Sequence, residues 1–139
     1  MYDAFEHWVY GQASEDVTPT QIDAQWLPFK QRFMPWETSG TGEQEAMTGW
    51  QRWNWSLFRI PLSMIAYPIA IVGVCQLAQQ LQYDRPSVLD NYKRALVLGN
   101  TATLPELFRV ARVTFPFTRR SVEEATQFAY QEYLKLNNG

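Results

Sequence analysis

The sequence predicts an all-α protein of six or seven helices packed around one central apolar helix at about residues 61–83. Two observations lead to this prediction. Apolar side chains recur at helical spacing in most segments, and strand-like alternation extends nowhere beyond a few residues. The stretch from Ile60 to Ala78 contains no charged residue, and no other part of the sequence is as long and as apolar. Such a helix is either the centre of a globular domain or a membrane span.

Two helices with recognisable ends are predicted in the first third of the chain. The first covers residues 3–10 and is ended by Gly11. The second begins with Thr18 as N-cap and Pro19 at the first position, and Gln21 completes a capping box. Its apolar stripe is formed by Ile22, Trp26, Phe29 and Phe33. The helix is ended by Met34-Pro35-Trp36.

The central helix is reached through a loop at 38–42 and a helix that Glu43-Gln44-Glu45 favours through the helix dipole. We expect the central helix to run from about Pro61, which suits a first turn, to about residue 83. Pro68 should loosen it, and a neighbouring element should approach closely at Gly73.

Three more helices are predicted after the central one. An amphipathic helix from Val88 to Leu98 is closed by Gly99, and a short helix restarts at Thr103. The last helix has a capped start at Ser121 and ends at residues 137–139.

Length and composition place the chain among compact globular proteins. With 139 residues it is long enough for a core, so we predict a single helical domain over 1–139. The net charge of −2 and the scattered basic residues predict no nucleic-acid binding. The lone Cys75 allows no internal disulfide, and the acidic N-terminus does not resemble a secretory signal; both favour a cytoplasmic location.

A membrane span is the alternative to a buried central helix. The flanking segment from Trp50 to Trp55 does resemble an interfacial aromatic belt. The polar residues of the helix, however, are distributed along it rather than kept to its ends, and amphipathic segments on both sides need an apolar partner. We therefore expect a buried helix and no membrane.

No complete active site can be assembled from these residues. The lone His7 lies beside aromatic residues, which is typical of a structural histidine. The sequence has no His-Glu-x-x-His motif, no paired cysteines and no clustered carboxylates, so no metal ligands are predicted. Ser63 has no evident base, and Cys75 lies too deep in the apolar helix to act as a thiolate.

Tyr67 is the residue that we single out, because it is a phenol in the middle of an apolar helix. One interpretation is a core tyrosine whose hydroxyl bonds a carbonyl that Pro68 leaves free. The other is a phenol that faces a cleft and donates a hydrogen bond to a developing oxyanion.

A series of motifs along the chain resembles the C-terminal end of the oligoendopeptidase F-type zinc peptidases of the M3 family. The motifs cover essentially the whole chain in order, and the most telling is Leu98-Gly99 followed by Leu104-Pro105-Glu106-Leu107-Phe108. The others are Phe5-Glu6-His7-Trp8-Val9-Tyr10, the Thr18-Pro19 helix ending in Trp26-Leu27, Phe58-Arg59-Ile60-Pro61-Leu62, Ile65-Ala66-Tyr67-Pro68-Ile69-Ala70, Tyr92-Lys93-Arg94-Ala95-Leu96 and Phe115-x-Phe117.

The resemblance implies a mostly helical domain with a channel for short peptides and a zinc ion held by a preceding lobe. That lobe is absent from this sequence, so we expect the chain to begin in the middle of a larger domain and to hold no zinc cofactor by itself. In the family, a His and two Tyr near the central helix contact the scissile carbonyl. The second Tyr falls on Tyr67, the first on Met64 and the His near Ser56, so two of the three are lost. Tyr67, Ser63 and Met64 are the candidate substrate-binding residues.

Two hypotheses of function follow from these observations. The chain is the wall of a metallopeptidase channel without its zinc lobe, inactive alone, or it is a degenerate helical module that pairs with itself or with another protein. If the chain is such a module, the tryptophans from Trp36 to Trp55 would be exposed to water unless another chain buries them. We therefore expect a homodimer or a larger assembly.

Overall fold

The computed structural model of the chain describes residues 1–12, 17–38 and 48–138, and it confirms the all-α prediction. Seven α-helices and no strand occur in these described ranges. In chain order the helices are α1 (Tyr2–Tyr10), α2 (Pro19–Phe33), α3 (Asn54–Arg59), α4 (Ala66–Leu81), α5 (Arg85–Leu98), α6 (Leu104–Val110) and α7 (Arg119–Asn137). Short 3-10 turns occur at Pro35–Thr38, Gly49–Trp53, Ser63–Ile65 and Gly99–Thr101.

The chain divides into two compact units, Met1–Ile65 and Ala66–Gly139. A single domain over 1–139 stays a prediction. In the first unit α1 packs against α2 and against the 3-10 turn at Ser63–Ile65. Its core is aromatic: Phe5 and Trp26 are 3% and 2% exposed, and their ring centroids lie 4.9 Å apart, edge to face.

The ends of the first two helices lie where the sequence predicts them. Gly11 caps α1, and the capping box at the start of α2 is present. Thr18 N donates to Gln21 Oε1 at 2.7 Å, and Gln21 N donates to Thr18 Oγ1 at 3.3 Å. These signals succeed because each depends on residues only three positions apart.

The second unit is built from α4, which packs against α5 and α7, and from α6, which packs against α5. The predicted close approach at Gly73 is confirmed, because a Cβ on this residue would lie 3.1 Å from two atoms of the Phe108 ring. Gly99 closes α5 with a φ of 50°, a left-handed angle that favours glycine. The capping box of Thr103 and Glu106 begins α6.

The predicted bounds of the apolar helix are wrong at its start. The chain turns at Leu62, which has a φ of 58°, and a 3-10 turn precedes the first residue of α4, Ala66. Pro68 therefore falls in the first turn of α4, where its missing N–H removes no intrahelical hydrogen bond. It does not loosen the middle of a longer helix.

The apolar helix is also less buried than we expected. Val72 and Gly73 are its only buried residues, while Ile71 and Val74 are each 62% exposed. The segment Ser63–Leu81 is long enough and apolar enough to cross a membrane, and 11% of its apolar window is buried. A helix at the centre of a core would be mostly buried, so the outward face of α4 needs an explanation.

Two further boundaries differ from the prediction. The last helix begins at Arg119 with Thr118 as N-cap, because the Thr118 hydroxyl accepts from Ser121 N at 3.2 Å; Ser121 itself lies inside the first turn and is buried. The helix expected to start at Glu43 falls partly outside the described residues. The part that is described forms a 3-10 turn at Gly49–Trp53 before α3.

Candidate functional site

Tyr67 lies in the first turn of α4 and is 65% exposed. Ile71 and Val74 follow it at positions i+4 and i+7 and are exposed on the same side of the helix. These three residues form what we call the α4 stripe. The interpretation of Tyr67 as a core tyrosine is therefore wrong, and its phenol faces outward from the second unit.

The opposite side of α4 carries polar side chains that bind the backbone of the same unit. The Gln76 amide donates to Thr114 O at 2.8 Å and accepts from Thr114 N at 2.7 Å. The Gln80 amide donates to Arg112 O at 2.9 Å. The packed side of α4 therefore combines these two glutamines with the buried Val72 and Gly73, while Tyr67, Ile71 and Val74 stay exposed on the other side. An apolar exposed side is unusual for a surface helix.

The hydroxyl of Tyr67 has no hydrogen-bond partner within the part of the chain that the structure describes. A phenol on an apolar surface that makes no internal bond is free to donate to a ligand. The arrangement can therefore supply one hydrogen-bond donor beside an apolar surface.

Ser63 and Met64 belong to the first unit, whereas Tyr67 belongs to the second, so the structure does not bring the three candidates together in one unit. The Ser63 hydroxyl is buried and has no partner among the described residues. Met64 lines a small cavity of about 10 Å³, which is space for one water molecule and not for a peptide. The roles of these two residues in substrate binding stay predictions.

A buried polar cluster in the first unit was missed by the sequence analysis. The Glu6 side chain is 3% exposed; its carboxylate accepts from Ser56 Oγ at 2.8 Å and from Leu62 N at 3.0 Å. Ser56 is 4% exposed, and its hydroxyl is committed to Glu6. The only local signal was a charged residue directly after Phe5 in a short amphipathic helix.

Glu6 also acts on a neighbouring phenol. The Tyr10 hydroxyl donates to the carbonyl of Leu57, which links α1 to α3. Burial raises the pKa of Tyr10 above its usual value, and the negative charge of Glu6 raises it further. The neutral, donating form of Tyr10 is therefore favoured in the folded state.

Few of the described side chains could bind a metal ion or act as a nucleophile. No group of three His, Cys, Asp or Glu side chains in the described ranges could hold a metal ion. His7 is exposed, and its Nδ1 lies 2.9 Å from Asp3 O one turn earlier in α1. Cys75 is half-buried in α4.

Comparisons with known proteins assign no family. No protein-family model matches the sequence, no curated protein matches it significantly, and no solved structure matches it significantly.

Proposed function

We propose that this chain is similar in role to the C-terminal part of an oligoendopeptidase F-type zinc peptidase and forms one wall of a channel for short peptides. The observation that carries the proposal is the position of Tyr67. This residue matches a substrate-contacting Tyr of the family, and its hydroxyl is free on an outward apolar surface. In this role Tyr67 donates a hydrogen bond to the oxygen of the scissile carbonyl as negative charge develops there.

The zinc of the family does not fit the residues of this chain. The sequence has one histidine and no His-Glu-x-x-His motif, and the described residues contain no group of three suitable ligands. A metal-bearing lobe would have to come from another polypeptide segment, and the α4 stripe is the surface that such a lobe would cover. We propose that the chain alone is not catalytic and acts in the cytoplasm.

Zinc analysis and a cleavage assay test the absence of activity. The purified chain is loaded with zinc, dialysed and analysed by mass spectrometry for metal, and then incubated with quenched fluorescent peptides. We expect less than stoichiometric zinc and no cleavage above a buffer control. Stoichiometric zinc together with cleavage by the pure protein would refute the proposal.

Photo-crosslinking tests the channel wall itself. A short peptide carrying a benzophenone group should label residues of the α4 stripe, and Ile71→Lys should reduce the labelling several-fold. Val97→Lys is the matched control, because Val97 is 86% exposed on α5 and lies outside the stripe. Equal labelling in both variants would show that peptides do not bind at α4.

Self-association is the second function that the geometry favours. Trp36 and Trp55 in the first unit are 69% and 57% exposed, and Trp50 is half-buried with its indole N–H bonded to Asp23 at 2.6 Å. In the second unit, α5 and α7 expose large apolar side chains as α4 does. Unpartnered apolar surfaces of this kind favour association with another copy or another protein. Light scattering over a range of concentrations tests this, and a monomer at every concentration would contradict it.

A further inference from the structure

The small cavity in the first unit is lined by polar as well as apolar side chains. It measures about 10 Å³, which is close to the space that one water molecule requires. Cavities that are lined by apolar groups alone stay dry. This one is different, because three polar side chains contribute to its lining beside the apolar ones. The polar side chains are those of Glu6, Trp26 and Ser56, and the apolar ones include Phe5, Leu57 and Met64.

The Trp26 indole is a buried hydrogen-bond donor without an acceptor. The residue is 2% exposed, and its Nε1 has no hydrogen-bond partner in the part of the chain that the structure describes. Trp50 lines the same cavity, but its Nε1 donates to Asp23 Oδ1 at 2.6 Å. A buried N–H that is left unpaired costs the free energy of its desolvation. We therefore expect the Trp26 N–H to be bonded by a molecule that comes from the solvent.

The cavity also contains acceptor capacity that remains open. A carboxylate can accept about four hydrogen bonds. The described residues use two of these at Glu6, from Ser56 Oγ at 2.8 Å and from Leu62 N at 3.0 Å. Ser56 gives its hydroxyl proton to Glu6, so its oxygen can still accept a hydrogen bond. The lining thus supplies one donor and two acceptor groups, and a buried water typically makes about three hydrogen bonds.

The size and chemistry of the cavity exclude other occupants. A cation cannot accept a hydrogen bond from the Trp26 indole, and an organic molecule does not fit into about 10 Å³. Water accepts and donates, and it fits. Its immobilisation costs little entropy compared with the desolvation cost of a donor left unpaired.

We propose that one water molecule is bound in this cavity, where it accepts a hydrogen bond from Trp26 Nε1 and donates to the Glu6 carboxylate and to Ser56 Oγ. Because Trp26 lies in α2, the water extends the Glu6 cluster from α1 and α3 to α2. The inference is independent of the proposed peptide channel and of self-association.

Nuclear magnetic resonance tests the water in the native chain. A rotating-frame Overhauser experiment with selective excitation of water should give a cross-peak at the Trp26 indole N–H with the sign of direct dipolar contact. Trp36 and Trp55 are 69% and 57% exposed, so their indole cross-peaks should carry the sign of exchange with bulk water. Trp26→Phe identifies the resonance by removing it. A native chain without the dipolar cross-peak would overturn the proposal.

Variants of the two acceptor residues test how the water is held. Glu6→Leu removes the carboxylate and should weaken the cross-peak several-fold, whereas Glu6→Gln keeps an amide oxygen and should retain it. Ser56→Ala removes a hydroxyl proton that could relay the signal by exchange, and the cross-peak should survive because Trp26 and Glu6 still hold the water. Circular dichroism confirms that each variant keeps its helix content. An unchanged cross-peak in Glu6→Leu, or its loss in Ser56→Ala, would overturn the proposal.

A crystal structure of the native chain provides a second measurement that needs no variant. It should show the density of one oxygen atom at about 2.7–3.2 Å from both Trp26 Nε1 and a carboxylate oxygen of Glu6. A cavity without such density, or a Trp26 N–H bonded directly to a protein atom, would overturn the proposal.

Discussion

Glu6 joins three segments of the first unit through one buried carboxylate. It extends from α1 to Ser56 in α3 and to the backbone of Leu62 in the turn that follows. Leu62 has a φ of 58°, which is costly for a residue with a branched side chain. The hydrogen bond from its N–H to Glu6 helps to hold that conformation.

Replacement of Glu6 should destabilise the first unit. Glu6→Ala leaves the buried Ser56 hydroxyl and the part-buried Leu62 N–H without this acceptor, which should cost about 2–4 kcal/mol in the free energy of unfolding. Glu6→Gln keeps one amide oxygen as acceptor and should cost about 1 kcal/mol. Urea denaturation followed by tryptophan fluorescence measures both values. Equal losses for the two variants would show that the side chain acts by its charge and not by its size or by an acceptor that Gln can replace.

Tyr10 should make the stability of the protein fall at alkaline pH. Its pKa is raised in the folded state by burial and then by the charge of Glu6, so its contribution is complete below the pKa of the unfolded chain, about 10. It is lost as the pH rises through the higher folded value. Tyr10→Phe should therefore lose less stability than the native chain between pH 9 and pH 11 in urea denaturation. Tyr83→Phe, an exposed control, should follow the native chain.

The residues of this cluster show where sequence reasoning fails. Ser56 and Leu62 lie 50 and 56 positions from Glu6, so no spacing rule connects them. The sequence could not decide whether Tyr67 is buried or exposed for the same reason, because this depends on which side of α4 meets α5 and α7. Tertiary packing decides such cases, and local pattern does not.

At the scale of the element, the sequence predicted the helix ends that depend on local chemistry. The Thr18 box, Gly11 and Gly99 are all found where they were expected. The start of α4 was missed because Pro61 fits a first turn by its ring geometry. The chain instead turns at Leu62, whose N–H is held by a residue of α1.

The capping box of α6 gives an element-scale prediction for acid pH. Hydrogen bonds from the backbone N–H and then the hydroxyl of Thr103 lower the pKa of Glu106. Because the pKa of Glu106 is lower in the folded state than in the unfolded state, Glu106 contributes stability at pH values above its unfolded pKa. That contribution is lost as the pH falls through its folded pKa. Glu106→Gln should therefore reduce the loss of stability on the acid side, below about pH 4. Glu123→Gln, on the exposed surface of α7, is the control, and identical acid profiles for both would contradict the prediction.

Gly73 provides a prediction about the packing of α4. Gly73→Ala raises the helix propensity by about 1 kcal/mol, but the added Cβ would lie 3.1 Å from the Phe108 ring. That ring packs edge to face on Phe115 at 5.0 Å, so its movement disturbs a second contact. We expect a net loss of about 1 kcal/mol in thermal or urea unfolding. In a Phe108→Leu background the same change should become neutral or stabilising, and a loss that persists would exclude the ring as its cause.

At the scale of the whole molecule, the helical spacing of apolar residues predicted the all-α class, and the long apolar stretch predicted one strongly apolar helix. It did not show how that surface is distributed. The Ile60–Ala78 stretch is uniformly apolar, so periodicity could not separate its packed side from its outward side. In the structure, Gln76 and Gln80 define the packed side, and the α4 stripe is left for a lobe, a peptide or a lipid bilayer.

The variant Ile71→Lys distinguishes a lipid bilayer from a lobe or a peptide as the partner of the α4 stripe. Ile71 lies near the middle of the segment Ser63–Leu81, so a lysine there would cost about 3 kcal/mol if the segment crossed a membrane. Our proposal requires instead that the native chain be recovered from cells without detergent. Ile71→Lys and the control Val97→Lys should then fractionate as the native chain does, and only Ile71→Lys should lose peptide labelling. Carbonate-resistant membrane association of the native chain that Ile71→Lys abolishes would instead make α4 a membrane span, and it would remove the basis for a peptide channel.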